Sequence, residues 1–106
     1  EKGANPNAED TYGETPFHWA SYKGMTETVK LLIEKGASLE AENIMGKTPL
    51  LLAISNGNPE TAQLLIEKAA NLEAKNWDGQ TPILVAISNG DTDSVKLLVE
   101  KGANLE

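Results

Sequence analysis

The chain has 106 residues, enough for one domain, and no cysteine, which removes disulfide staples, thiolate chemistry and Cys-type zinc sites. Its 16 acids stand against 9 bases, every one of them lysine, for a net charge of −7. With no arginine clamp and no basic stripe, neither nucleic acid nor an anionic membrane is an expected partner.

In chain order, residues 1–10 read as the tail of a preceding unit, because Glu1-Lys2-Gly3-Ala4-Asn5 echoes Glu100-Lys101-Gly102-Ala103-Asn104. From Thr11 onward the sequence repeats every 33 residues. Thr15-Pro16, Thr48-Pro49 and Thr81-Pro82 fall in register, and so do Gly13, Gly46 and Gly79. The apolar triplets Leu31-Leu32-Ile33, Leu64-Leu65-Ile66 and Leu97-Leu98-Val99 follow suit. Such a period marks a solenoid of stacked units. The units span 11–43, 44–76 and 77–106, the last cut short.

Each unit opens a first helix at Thr-Pro. Proline fits a first turn that needs no backbone donor, and the threonine before it can cap the orphan N–H groups. These helices are expected to end near residues 22, 55 and 88, where Gly24, Asn56-Gly57 and Asn89-Gly90 stop them. Second helices are expected to start from Asn58-Pro59 and Asp91-Thr92, with a weaker start from Thr26 behind Met25. They end near Lys35, Lys68 and Lys101, and Gly36 and Gly102 then turn the chain into a long hairpin loop. Ala69 takes the glycine's place in the middle unit, where a positive φ costs about 1 kcal/mol.

Two short helices cannot bury their apolar faces alone, so the core must run through the stack. Its expected members are Phe17, Trp19, Ala20, Val29, Leu32 and Ile33 in the first unit. Leu50, Leu52, Ala53, Ala62, Leu65 and Ile66 follow, then Ile83, Val85, Ala86, Val95, Leu98 and Val99. Arrays close with units whose outer face is polar, and Phe17, Trp19, Ile87 and Leu98 show no such change. The expectation is a piece of a longer array, with uncapped ends able to associate head to tail. No apolar run reaches membrane-spanning length, and an intracellular, cytoplasmic setting is expected.

The pattern Asn/Asp-x-x-Gly-x-Thr-Pro, closing on Gly-Ala in the first and third units, resembles the ankyrin repeat, and the resemblance covers the whole chain. It implies an all-α solenoid of stacked helix-turn-helix units joined by β-hairpin-like loops. It also implies a non-catalytic module that holds a protein partner on its concave side. The alternative is a structural spacer within an array, with no partner of its own.

His18 is the one histidine. Taken alone it could be a general base or a ligand. In Thr15-Pro16-Phe17-His18 it matches the family's Thr-Pro-Leu-His, which implies a ring tied to the neighbouring turn, while Leu51 and Leu84 replace it in the other units. No second histidine or thiol is present for a dyad, and no serine lies in a nucleophile-elbow context. The pairs Glu40/Glu42 and Asp91/Asp93 lack the ligand-dense loop of a calcium site and read as solvated surface. No catalytic residue, cofactor or metal is expected.

The family resemblance places the partner against the hairpin tips and the open side of the first helices. Carried over by position, the candidates are Tyr12, Glu14, Tyr22 and Lys23, then Ile44, Met45, Lys47 and Asn56, then Trp77, Asp78, Gln80 and Asn89. Tyr12, Ile44, Met45 and Trp77 are unusually apolar for turn residues. They can form one binding stripe, or Ile44 and Trp77 can simply pack over the adjacent hairpin.

Overall fold

The computed structural model describes residues 7–105, and among them there are six helices and no strand. These are α1 (Pro16–Lys23), α2 (Thr26–Glu34), α3 (Pro49–Ser55), α4 (Pro59–Glu67), α5 (Pro82–Ser88) and α6 (Thr92–Glu100). Each pair forms a hairpin, the first helices stack as α1–α3–α5, and the second helices stack as α2–α4–α6. The core is one continuous cluster from Phe17 and Val29 through Leu50, Ile54 and Leu65 to Ile83 and Leu98. Leu32, Ile33 and Val95 pack against it while remaining partly exposed.

Local chemistry accounts for the helix starts, with two departures. Thr15 and Thr48 accept from the backbone of His18 and Leu51, but Thr81, in the same extended conformation, caps nothing with its side chain. Asp91 caps α6 through Ser94, whereas Asn58 does not cap α4. Its amide instead donates to the carbonyls of Ser21 and Tyr22 at the end of α1, 3.0 and 2.9 Å away. In the next unit Asn89 takes over this duty, donating to Ile54 and Ser55 at 2.9 and 3.2 Å. The polar seal on the end of a first helix therefore comes from either of two positions: the second unit carries an asparagine at both, and there Asn56 turns back onto Leu52 while Asn58 makes the seal. Ala69 does take the left-handed conformation, with φ 72°.

Two expected core residues are not core. Trp19 is 48% exposed, although its equivalents Leu52 and Val85 are buried. Among the described residues Val85 has a helix pair only before it and Trp19 has one only after it, so burial at this position comes from the preceding unit. Val99 is exposed for the mirror-image reason: its equivalent Ile66 is covered by the helix pair that follows.

Candidate functional site

The tips are built by one device used three times. Asp10, Asn43 and Asn76 each turn a side-chain oxygen onto two backbone N–H groups, two and four residues ahead, at 2.9–3.0 Å. Short polar side chains that bond their own backbone in this way fix tight turns. Neighbouring tips are tied together by Ile44 N–H to Tyr12 C=O (2.9 Å) and Trp77 N–H to Met45 C=O (3.1 Å). The glutamate at the tip of the first unit reaches across as well, where Glu14 accepts from the Asn43 amide at 3.1 Å.

Asp10 is the charged member of the series. Its carboxyl is held below its ordinary range chiefly by the Glu14 N–H, against opposing desolvation, with help from the Tyr12 N–H and the Trp19 side chain. No group of three or more potential metal ligands occurs among the described residues. Two of the four carboxylates read as solvated surface, Glu40 and Asp91, have structural duties, and Glu73 has one like that of Glu40. Glu40 accepts from Asn71 N–H (2.8 Å) and Glu73 from Asn104 N–H (2.9 Å), joining each loop to the next.

His18 is fully buried and fully bonded. Nδ1 accepts from Thr15 N–H at 3.0 Å, while Nε2 faces the carbonyls of Ala41 (2.9 Å) and Lys47 (3.1 Å). That arrangement suits a neutral ring protonated on Nε2, locked between two units and closed to any substrate. Leu51 replaces it with buried apolar packing, but Leu84 is exposed because no helix pair covers it among the described residues.

Between the first two tips lies an open groove of about 300 Å³, lined by Glu14, Trp19, Tyr22, Asn43, Met45, Lys47 and Leu52. On its α1 side the Trp19 and Tyr22 rings meet edge to face, 6.3 Å apart at 80°. Four of the candidates read from the sequence are thus brought together: Glu14, Tyr22, Met45 and Lys47. Trp19 was missed, because its in-register partners are aliphatic and buried. The one signal for it was size, an indole standing where the repeat elsewhere carries Leu or Val.

The other candidates lie outside the groove. Tyr12, Ile44 and Trp77 are exposed along the tips, where Trp77 rests its indole over Gly46 of the tip before it. Asp78 is exposed beside it, and Gln80 accepts from the Asn76 amide at 3.1 Å. Lys23 is exposed at the end of α1, Asn56 turns its amide back onto Leu52 C=O, and the amide of Asn89 is occupied by the unit seal.

Comparison with known proteins agrees with this architecture. A family model described as ankyrin repeats in three copies matches residues 1–76 and again 39–106. A curated relative, a probable protein S-acyltransferase 23 of Arabidopsis thaliana, is 57% identical over 30 residues. That stretch is 28% of this chain and only 6% of the relative's length. Among the described residues no helix is long and apolar enough to cross a membrane.

Proposed function

Because the chain belongs to the ankyrin-repeat family, we propose that it is a non-catalytic module that recognises a protein partner through the groove between its first two tips. Members of this family generally act as protein–protein interaction modules. The observation that carries the reading is the Trp19–Tyr22 pair, two half-exposed aromatic rings held edge to face beside Met45. Aromatic and methionine side chains in a preformed hollow are the usual anchors of an interface. Glu14 and Lys47 flank them with one charge of each sign, and the surface as a whole is acidic, which suits a partner of neutral or mildly basic face.

The test compares three chains: the parent, a Trp19→Ala/Tyr22→Ala/Met45→Ala groove variant, and a Tyr12→Ala/Ile44→Ala/Trp77→Ala tip variant. A protein captured by the parent is purified and titrated against all three. The groove variant should lose at least about 30-fold in affinity, the effect of one good anchor, with helicity unchanged and a melting temperature lowered only by the loss of the Trp19–Tyr22 pair and the Trp19–Asp10 contact. Equal affinity of parent and groove variant would refute the groove. Loss confined to the tip variant would move the site to the Tyr12–Trp77 stripe.

The second reading is a spacer with no partner of its own. It is favoured by how many polar candidates are already spent on the scaffold: Glu14 on Asn43, Gln80 on Asn76, and Asn89 on α3. A parent that retains nothing the groove variant lacks supports it.

A further inference from the structure

Glu14 and Lys47 hold the same place in successive units, and both line the groove between the first two tips. Asn43, itself buried, fixes the two against each other. Its amide donates to Glu14 Oε2 at 3.1 Å, and its Oδ1 accepts from Lys47 N–H at 3.0 Å. Glu14 N–H is pinned in turn by Asp10, while Lys47 C=O faces His18 Nε2 at 3.1 Å. The charges themselves stay unmatched. Among the described residues neither Glu14 nor Lys47 has an ion-pair partner, and Asn43 takes one of the two carboxylate oxygens. A carboxylate and an ammonium, held one repeat apart by a buried amide, are the converse of a ligand with a base and an acid at that spacing.

Between the charges lie Tyr22 and Met45, both half-exposed. Position 22 stays open with a unit on either side, as Ser55 shows, and Met45 and Lys47 belong to that middle unit. A phenol ring beside a free carboxylate oxygen suits arginine above other cations. Its planar guanidinium stacks on an aromatic face while its N–H groups reach the carboxylate. The net charge of −7 draws a basic segment towards this surface, and Lys47 turns away a second base and draws an acid instead.

We propose that the groove holds an extended segment of a partner protein, with an arginine over Tyr22 against Glu14 and an acidic residue on Lys47. The proposal rests on the reading of this groove as the partner site and names what the site reads. Packed helices stand about 8–10 Å apart, so the charges of successive units are separated by a step of that order. An extended chain covers such a step in about three residues, which puts the base at i, the acid at i+3 and an apolar residue between them over Met45. One unit on, Lys47, Ser55, Asp78 and Gln80 stand where Glu14, Tyr22, Met45 and Lys47 stand here. The next pair of tips therefore offers neither the aromatic floor nor the same order of charge.

The repeat itself supplies variants that keep the fold, because Gln80 stands in the place of Glu14 and Lys47, and Ser55 in the place of Tyr22. The probe is the peptide acetyl-Arg-Pro-Leu-Glu-amide, titrated into isotope-labelled protein and followed by NMR at about 0.15 M salt, where exposed charges are screened. Two control peptides carry citrulline for the arginine or glutamine for the glutamate. Signals of Glu14, Tyr22, Met45 and Lys47 should move together, with a dissociation constant on the order of 1 mM. Citrulline should weaken binding to the parent about 5-fold, and by less to Glu14→Gln or Tyr22→Ser. Glutamine should weaken binding to the parent about 3-fold and make no difference to Lys47→Gln. A peptide that moves no groove signal, or a preference for arginine that Glu14→Gln leaves whole, overturns the proposal. If it falls while a captured protein still needs the groove, the partner-site reading stands. A captured protein indifferent to the Trp19→Ala/Tyr22→Ala/Met45→Ala variant removes that reading, and this proposal with it.

Discussion

The two internal junctions share one repeat pattern yet are held together differently. Between the first and second units the ties are polar. His18 bridges to Lys47 of the second unit and to Ala41 in the loop leading into it, and Glu14 reaches Asn43 at the foot of the second tip. Asn58 seals α1, and Thr26 pairs with Thr61. Between the second and third, Leu51 replaces the histidine, Asn89 makes the seal from a different position, and Trp77 lies over Gly46. The first junction even keeps a buried hydroxyl, Ser21 Oγ, with no partner where Ile54 packs in the second. The lesson is that the repeat fixes where units meet and leaves open what chemistry fills the meeting place.

The largest effect is expected at the histidine. His18→Ala removes a buried ring and leaves the Ala41 and Lys47 carbonyls without their donor, and should cost about 3 kcal/mol in denaturant titration. His18→Leu converts the first junction to the chemistry of the second. It should recover about half of that loss, because the apolar packing returns while the carbonyls stay unmet. Equal cost for the two variants would mean the ring's volume contributes nothing and the junctions are not interchangeable.

Next comes the glycine under the tryptophan. Gly46 has φ 75°, and a Cβ there runs into the Trp77 indole, whereas Gly79 has φ 78° and open space around it. Gly79→Ala should cost about 1 kcal/mol for the backbone alone. Gly46→Ala should cost about 1 kcal/mol more because the indole must move, and most of that excess should vanish in the Trp77→Ala background, where only the backbone nitrogen of position 77 still crowds the new Cβ. Persistence of the full excess there would show that Trp77 does not rest on this tip.

The third variant concerns the loops that close the first two units. Gly36 turns at φ 91° with no penalty, while Ala69 holds φ 72° with a Cβ. Ala69→Gly should gain about 1 kcal/mol, offset in part by the freer unfolded chain, and raise the melting temperature by a few degrees, about 4 °C. A lower melting temperature would mean unfolded-state entropy outweighs the strain.

The fold was legible because its determinants are local and repeated in phase: Thr-Pro starts, glycine stops and the apolar triplets. The site was legible only in part. Tyr22, Met45, Glu14 and Lys47 could be placed because they vary where the scaffold does not. Trp19 could not, because alignment within the repeat assumes each unit has neighbours on both sides, and the burial of Leu52 and Val85 depends on the unit before them. The duties of Glu40, Glu73, Asn58 and Asn89 stayed hidden for a related reason. Their partners are backbone groups about one repeat away, roughly thirty residues distant in sequence, and the backbone leaves no trace in residue identity.

The smallest effect returns to the tips, where the same turn is made by a carboxylate once and by carboxamides twice. Asp10 carries out with a charge what Asn43 and Asn76 do without one. Its folded-state carboxyl ionises more readily than an aspartate in the unfolded chain, chiefly through the Glu14 N–H, so its contribution is complete above the unfolded value. The contribution is lost as pH falls through the depressed folded value. Asp10→Asn keeps the acceptor oxygen and removes the titration, so the parent should lead the variant slightly at pH 7 and lose that lead in acid. Denaturant titrations of both chains from pH 7 to about pH 2 measure the gap directly. A gap that does not change with pH would mean that the charge on Asp10 adds nothing to the turn, and that the first tip is held, like the other two, by hydrogen-bond geometry alone.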